Sequence, residues 1–124
     1  MWKMINGKLV QSIDETRKEY KTRISKAMIE NLKAIAKANN THIGYLLENG
    51  FENILRENYI QFDKKSRPKD RVELRTTCNE TVLTDLRTFA KENKLNLNDV
   101  IEASIEYIDV MNVKNAGWRY RKEM

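Results

Sequence analysis

A segment of this chain occurs twice. Residues 19–54 align with residues 73–108 without a gap, at a constant spacing of 54 residues. More aligned positions are identical than chance pairing at this composition would give, and most apolar positions are apolar in both copies. The identical pairs are Glu19/Glu73, Thr22/Thr76, Leu32/Leu86, Ala36/Ala90, Lys37/Lys91, Asn39/Asn93, Glu48/Glu102, Glu52/Glu106 and Ile54/Ile108. Such a repeat predicts that both segments adopt the same local structure.

The two copies are predicted to pack against each other. A solenoid needs three or more repeats to bury a continuous core, so two copies are too few for one. A unit of about 40 residues rarely folds alone without a disulfide, a metal or a partner. Cys78 is the only cysteine and His42 the only histidine, which excludes an intrachain disulfide and makes a structural zinc site implausible. The remaining partner for each copy is the other copy.

Each copy opens with a short alternating segment, residues 18–24 in the first and residues 72–78 in the second. Because successive side chains of a strand point to opposite faces, each segment is predicted to be a one-sided strand. One face carries Tyr20, Thr22, Ile24, Leu74, Thr76 and Cys78, and the other carries Glu19, Lys21, Arg23, Glu73, Arg75 and Thr77. Cys78 is expected to pack inward as a small apolar residue.

Two amphipathic helices are predicted after each strand. Ser25 and Asn79 are suitable N-caps, because their side-chain oxygens can accept the unpaired N–H groups of a first helical turn. Polar breaks at residues 39–40 and 93–94 separate the first helix of each copy from the second, and Gly50 and Ser104 predict a close crossing of the second helices. The apolar faces of the first helices are Met28, Ile29, Leu32, Ile35 and Ala36, and Val82, Leu83, Leu86, Phe89 and Ala90; those of the second are Ile43, Leu46, Leu47, Phe51 and Ile54, and Leu97, Val100, Ile101, Ile105 and Ile108.

The N-terminus is predicted to form a β-hairpin over residues 2–11. Asn6-Gly7 lies between two short runs with apolar residues, and both residues tolerate the positive φ angles of a type I′ turn. This register places Met4 opposite Leu9 and Trp2 opposite Gln11. The hairpin could cover the core as an arm, or it could contact a ligand or a neighbouring chain.

The net charge favours a polyanionic partner, and the missing catalytic motifs argue against an enzyme. The net charge is +5, and positive residues concentrate in residues 64–71 and 114–124, although either run could be a solvated surface. No Walker loop, dinucleotide fingerprint or metal-ligand cluster is present, so we expect no catalytic residues, no cofactor and no metal. No apolar run approaches about 18 residues and no signal peptide is evident, so we expect a cytoplasmic, nucleoid-associated protein that does not contact membranes.

A one-sided strand followed by two amphipathic helices resembles the ribbon-helix-helix family of DNA-binding proteins, which includes the Arc and Met repressors. The resemblance covers about residues 19–57 and 72–110, and its most specific part is NETVLTDLRTFAKENKLNLNDVIEASIEYI at 79–108. In that family, two units pair their strands antiparallel and the ribbon enters the major groove. The implied fold is mainly α with short β: a tandem ribbon-helix-helix in which β-α-α occurs twice around an antiparallel two-stranded ribbon.

The resemblance also implies a set of DNA contacts. Arg and Lys can donate to guanine O6 and N7, and Thr can donate, accept or touch a thymine methyl. The base-contacting residues would be Glu19, Lys21, Arg23, Glu73, Arg75 and Thr77. The family also binds a phosphate at the N-terminus of each second helix. The matching residues are His42, Ile43, Gly44, Asn96, Leu97 and Asn98.

Three features depart from the family pattern. Thr22 and Thr76 occupy a central inward position that is usually aliphatic in the family. Neither copy has the usual glycine between its helices, where Asn40 and Lys94 stand. The two reading faces also differ, with Lys21 and Arg23 in one copy against Arg75 and Thr77 in the other, so each ribbon is expected to prefer an asymmetric site.

The two copies are predicted to pair within one chain. About 14 residues connect them, and this length of chain can span roughly 46 Å when extended. A flexible connection of this length gives an effective concentration in roughly the mM range, which favours intrachain pairing over an exchanged dimer. The predicted organisation is an N-terminal hairpin or arm at 1–12, units at 17–57 and 72–110, a basic linker at 58–71 and a basic aromatic tail at 111–124.

The favoured function is sequence-specific binding of double-stranded DNA, as a transcriptional repressor or regulator of a bacterial, plasmid or phage control region. Self-association of the pseudo-dimer on DNA is expected, because one ribbon contacts few bases. One alternative is an antitoxin that binds a toxin through residues 111–124, and another is an accessory protein of plasmid transfer or partition. An alternative of another class is a protein–protein interaction module.

Overall fold

A computed structural model describes residues 2–5, 8–11 and 17–113, the first two ranges by their backbone alone. This part of the chain is mainly helical. The strands and helices are β1 (Trp2–Ile5), β2 (Lys8–Gln11), β3 (Arg17–Ser25), α1 (Lys26–Ala38), α2 (Ile43–Glu57), β4 (Arg71–Asn79), α3 (Glu80–Glu92) and α4 (Leu97–Ser104). Short 3-10 turns occur at Lys64–Ser66, Ile105–Tyr107 and Val110–Asn112.

The described residues form two separate antiparallel pairs of strands. β1 pairs with β2 so that Trp2 lies opposite Gln11 and Met4 opposite Leu9, which confirms the predicted register; residues 6–7 lie outside the described residues. β3 pairs with β4 along the whole length of both strands and within one chain, as predicted. We call this second pair the ribbon.

The first helix after each ribbon strand begins at the predicted cap. The Ser25 hydroxyl accepts from the Met28 N–H at 3.4 Å, and the Asn79 side-chain oxygen accepts from the N–H groups of Thr81 and Val82 at 2.9 and 3.2 Å. These bonds satisfy N–H groups that have no partner within the helix. Both predicted N-caps are therefore confirmed.

Asn40 and Lys94 occupy the turns between the helices with positive φ angles of 49° and 57°. Each turn is closed in the same way, because the N–H of Thr41 reaches the Ala36 carbonyl and that of Leu95 reaches the Ala90 carbonyl, both at 2.9 Å. The missing glycine therefore does not change the turn. Asn adopts this left-handed conformation readily, whereas Lys does so at a cost.

The second helices cross at Gly50, as predicted. A Cβ atom at Gly50 would lie 2.5 Å from the Ser104 carbonyl oxygen, so no larger residue fits without displacing α4. α4 ends at Ser104, whereas the apolar pattern predicted helix as far as Ile108. The Asn49 side chain of α2 accepts from the Asp109 N–H and the Asn53 side chain donates to the Tyr107 carbonyl, both at 2.7 Å. These bonds hold the chain that follows α4 against α2.

One apolar core is built from both halves of the described chain. Its fully buried residues come from the inner face of the ribbon and from the predicted apolar faces of all four helices. They include Ile24, Leu32, Leu46, Leu47, Phe51, Ile54, Cys78, Leu86, Val100 and Ile101. The helices therefore cover one face of the ribbon and leave its other face in solvent.

Candidate nucleic-acid interface

The face of the ribbon that points away from the helices carries the six residues predicted to contact bases. Glu19, Lys21, Arg23, Glu73 and Arg75 are exposed, and Thr77 is half-buried. The opposite face packs on the core, where Tyr20 and Thr22 are buried together with Cys78. The strand alternation thus separates charged from packed residues as the sequence predicted. We call the first of these surfaces the outer face.

The centre of the outer face is a pair of cations. Lys21 lies directly opposite Arg75, and these are aligned positions of the repeat. The Lys21 ammonium lies 3.6 Å from the Glu73 carboxylate, and the Arg75 guanidinium lies 3.7 Å from that of Glu19. All four side chains are more than half exposed. Exposed ion pairs contribute little to stability, so both cations can exchange a carboxylate for another acceptor at small cost.

Arg23 and Thr77 stand at opposite ends of the outer face in unlike surroundings. Within the described part of the chain, Arg23 donates one hydrogen bond, to the Arg71 carbonyl at 3.0 Å. Thr77 accepts two from Arg17, through its hydroxyl at 3.1 Å and its carbonyl at 2.8 Å. The Arg23 guanidinium therefore projects into solvent, whereas the Thr77 side chain is held against the ribbon.

A buried carboxylate lies beneath each end of the ribbon. Glu48 accepts from the Arg17 guanidinium at 3.0 Å and from the Asn79 N–H at 2.7 Å. At the other end, Glu102 accepts from the Arg71 Nε at 3.2 Å and from the Ser25 N–H at 2.9 Å. Each glutamate thus joins a second helix to both ribbon strands.

The arginines at the two ends have different second partners. The Arg17 guanidinium lies 4.7 Å from the centre of the Tyr45 ring, which is a cation–π contact. The aligned position in the other half is Asp99, which accepts from Arg71 at 2.9 Å and from Arg67 at 2.7 Å. Although burial opposes ionisation, the hydrogen bonds from both arginines hold the pKa of Asp99 below its usual value.

Sequence reasoning missed the structural role of these arginines. Arg17 fell outside the aligned segment, and Arg71 was assigned to the basic linker, yet the side chains of both point to buried carboxylates. The signal that could have found them was in the sequence, because residues 17 and 71 are also identical at the same spacing of 54. Identical Arg and Glu at matched positions predict an ion pair that occurs twice.

The first turn of α2 adjoins a basic groove. Lys33, Lys37 and Arg75 line this groove beside His42 and Gly44. No acidic residue occurs in the first turn of α2, and the N-cap His42 makes no side-chain cap bond. A helix N-terminus flanked by cations attracts anions.

This basic groove lies at the end of the ribbon that carries Thr77, because a Cβ atom at Gly44 would lie 2.9 Å from the Thr77 carbonyl oxygen.

The first turn of α4 differs, because it contains an acidic residue. The Asp99 carboxylate accepts from the Asn96 N–H at 3.1 Å, and Asn98 accepts from the Thr22 hydroxyl at 2.9 Å. The backbone N–H of Asn96 and the side-chain oxygen of Asn98 thus already have internal partners. Leu97 begins the helix and packs on the edge of the core. The two second helices consequently present different electrostatic surroundings to an anion.

Part of the predicted basic linker stabilises the fold instead of projecting from it. Arg67 pairs with Asp99, and Asp70 accepts from the Ser25 hydroxyl at 3.0 Å and from the Ala27 N–H at 3.2 Å. The latter two bonds hold the pKa of Asp70 below its usual value. Lys64, Lys65 and Lys69 are exposed. Residues 114–124 of the predicted tail lie outside the described residues.

Cys78 does not belong to the candidate interface. Its thiol is fully buried, as predicted, and burial raises its pKa to about 12. Among the described residues, no group of three or more His, Cys, Asp or Glu side chains is arranged to hold a metal. No helix in the same residues is both long and apolar enough to cross a lipid bilayer.

No protein-family model, curated protein or solved structure significantly matches this chain. The chemistry of the outer face and of its flanking helix N-termini is therefore the basis for a functional assignment.

Proposed function

We propose that this chain is a tandem ribbon-helix-helix protein that binds double-stranded DNA sequence-specifically, with its ribbon in the major groove. The observation that carries the proposal is the outer face, where Lys21, Arg23 and Arg75 are exposed on a strand pair whose other face is packed. A two-stranded ribbon fits the major groove, and Arg and Lys there donate to guanine O6 and N7.

The pseudo-twofold relation of the strands supports the same proposal. Lys21 and Arg75 are aligned by the repeat and lie opposite each other at the ribbon centre. The pseudo-twofold axis also relates the two ion pairs beside them, because it maps Lys21 with Glu73 onto Arg75 with Glu19. Two half-domains of one chain would thus present the ribbon that two subunits form in the ribbon-helix-helix family.

The basic groove at the first turn of α2 would bind a phosphate of the DNA backbone. Its lysines, Lys33 and Lys37, have basic counterparts at the aligned positions of α3, Arg87 and Lys91. Phosphate contacts orient a protein on the duplex but carry no sequence information. We propose that the protein represses or otherwise regulates transcription from a bacterial, plasmid or phage control region, and that copies associate side by side on longer sites.

Replacing both Lys21 and Arg75 by Ala tests the base contacts. The variant is expected to lose about 1–3 kcal/mol of binding free energy for each lost base contact and to discriminate less between sequences. Affinity is measured by fluorescence anisotropy on a duplex enriched from a random pool. The matched control is Lys64→Ala with Lys65→Ala, which also removes two positive charges from exposed positions.

Binding of the unmodified protein should weaken steeply between low and moderate salt, since phosphate contacts release counterions. A salt-independent interaction would instead favour a protein partner on the outer face. Full sequence-selective affinity of the Lys21/Arg75 double variant would contradict the proposal.

A further inference from the structure

The repeat and the strand register together divide the outer face into two halves. Because the register is centred on Lys21 opposite Arg75, aligned residues lie at equal distances on either side of the centre. Two of the three aligned pairs are chemically alike: Glu19 with Glu73, and Lys21 with Arg75. The third pair, Arg23 with Thr77, is unlike. We call the two ends of the ribbon the Arg23 end and the Thr77 end.

The Arg23 end offers a strong donor to a base. A guanidinium has five N–H donors, and among the described residues only one of those of Arg23 is used, by the Arg71 carbonyl. That bond ties Arg23 to the end of the neighbouring strand and leaves the rest of the fork exposed. A fork of this kind recognises O6 and N7 of one guanine together.

The Thr77 end offers much less. Its side chain is half-buried, and its hydroxyl and carbonyl both accept from Arg17. Arg17 in turn is fixed by Glu48 and by the Tyr45 ring. The short Thr77 side chain is thus fixed against the ribbon by Arg17 and has one hydroxyl hydrogen to donate. It cannot donate the two hydrogen bonds, to O6 and N7, that distinguish guanine.

We infer that the preferred duplex is non-palindromic: a central element contacted by Lys21 and Arg75, with an outer guanine specified on the Arg23 side only. This inference rests on the proposed function and adds to it the class of site and its polarity. The protein would consequently bind each site in one orientation, which a symmetric homodimer on a palindrome does not do.

Selection of bound duplexes from a random pool tests the inference directly. Replacing the outer base pair on the specified side should weaken binding roughly 10-fold or more, whereas the mirror position should tolerate every base pair. Footprinting on the selected duplex, with a cleavage reagent tethered at one end of the ribbon, gives the orientation.

Two variants make the test reciprocal. Arg23→Thr places Thr at both outer positions of the ribbon and should remove the outer guanine from the selected sequence, leaving a short, nearly symmetric set of base contacts. Thr77→Arg should add a second guanine and convert the site to a palindrome. Because Thr77→Arg disturbs the Arg17 contacts, its thermal unfolding is measured first, whereas Arg23 is exposed and its replacement should leave the fold intact.

The possible results separate the inference from the proposed function. If no sequence is enriched by the unmodified protein, both fail. Enrichment of a palindrome with equal half-sites overturns the inference alone, and so does an asymmetry that persists unchanged in Arg23→Thr. An outer guanine that disappears in this variant supports it.

Discussion

At the scale of single residues, an Arg–Glu ion pair occurs at each end of the ribbon, and the two pairs have different surroundings. Arg17 with Glu48 and Arg71 with Glu102 occupy matched positions, and each glutamate also accepts the N–H of a helix N-cap. The Arg17 side chain is 4% exposed, and Glu48 is its only carboxylate partner among the described residues. That of Arg71 is 16% exposed and keeps a second carboxylate, Asp99. Replacing Glu48 and replacing Glu102 should therefore lower the free energy of unfolding by different amounts.

We predict that Glu48→Gln destabilises the protein more than Glu102→Gln does. Glutamine keeps an acceptor for the N-cap N–H but removes the negative charge, so the buried Arg17 guanidinium loses its carboxylate partner at a cost of about 3–5 kcal/mol. In Glu102→Gln, Arg71 would still pair with Asp99, so this variant should lose less stability. Urea unfolding followed by circular dichroism measures both, and equal or reversed losses would contradict this account.

At the scale of secondary-structure elements, the connection between the paired helices depends on one left-handed residue. Asn40 and Lys94 have the same backbone conformation, although only Asn favours it. The ends of α1 and α3, the closing hydrogen bonds and the first residues of α2 and α4 lie at aligned positions in the two halves. Packing of the flanking helices therefore imposes the conformation of the turn. The Cβ atom of Lys94 makes this positive φ angle strained, and glycine would avoid the strain because it has no Cβ.

Lys94→Gly is predicted to stabilise the protein by about 1 kcal/mol, since glycine adopts positive φ without steric cost. Asn40→Gly provides the matched comparison and should gain less, because Asn already tolerates this conformation. The shift in thermal midpoint of each variant gives the two values. A loss of stability in Lys94→Gly would mean that the lysine side chain stabilises the turn in another way.

At the scale of the whole molecule, neither half has a core of its own. α4 packs on β3 and α2 packs on β4, so each second helix covers the strand of the other half. The crossing of Gly50 with Ser104 and the bond from the Asn79 N–H to Glu48 also join the halves. The free energy of folding is therefore shared between them.

Separate fragments 1–62 and 63–124 are predicted to recover the native fold only when mixed. Each fragment exposes the apolar faces that the other covers, so neither should unfold cooperatively as a monomer. Their mixture should form a one-to-one complex with a cooperative transition, observed by circular dichroism and analytical ultracentrifugation. A fragment that unfolds cooperatively as a monomer would contradict the shared core.

The sequence by itself determined the elements and the faces they present, except that α4 ends at Ser104 and not near Ile108. Strand alternation separated Lys21 and Arg75 from the packed face, and Ser25 and Asn79 marked the helix starts. The hairpin register and the crossing at Gly50 also followed from local chemistry. These features are predictable because they depend on the period of side-chain direction, on capping and on the absence of a side chain at one position.

Only the tertiary structure decided which charged residues remain available to a ligand. Arg67, Arg71 and Lys69 look alike in a basic run, yet the first two pair with buried carboxylates that lie 28 to 32 residues away. Thr77 was predicted to be a base contact, as was Arg23, and its bonds to Arg17 were not foreseen. Such differences arise from contacts between residues distant in the chain, which no local period specifies.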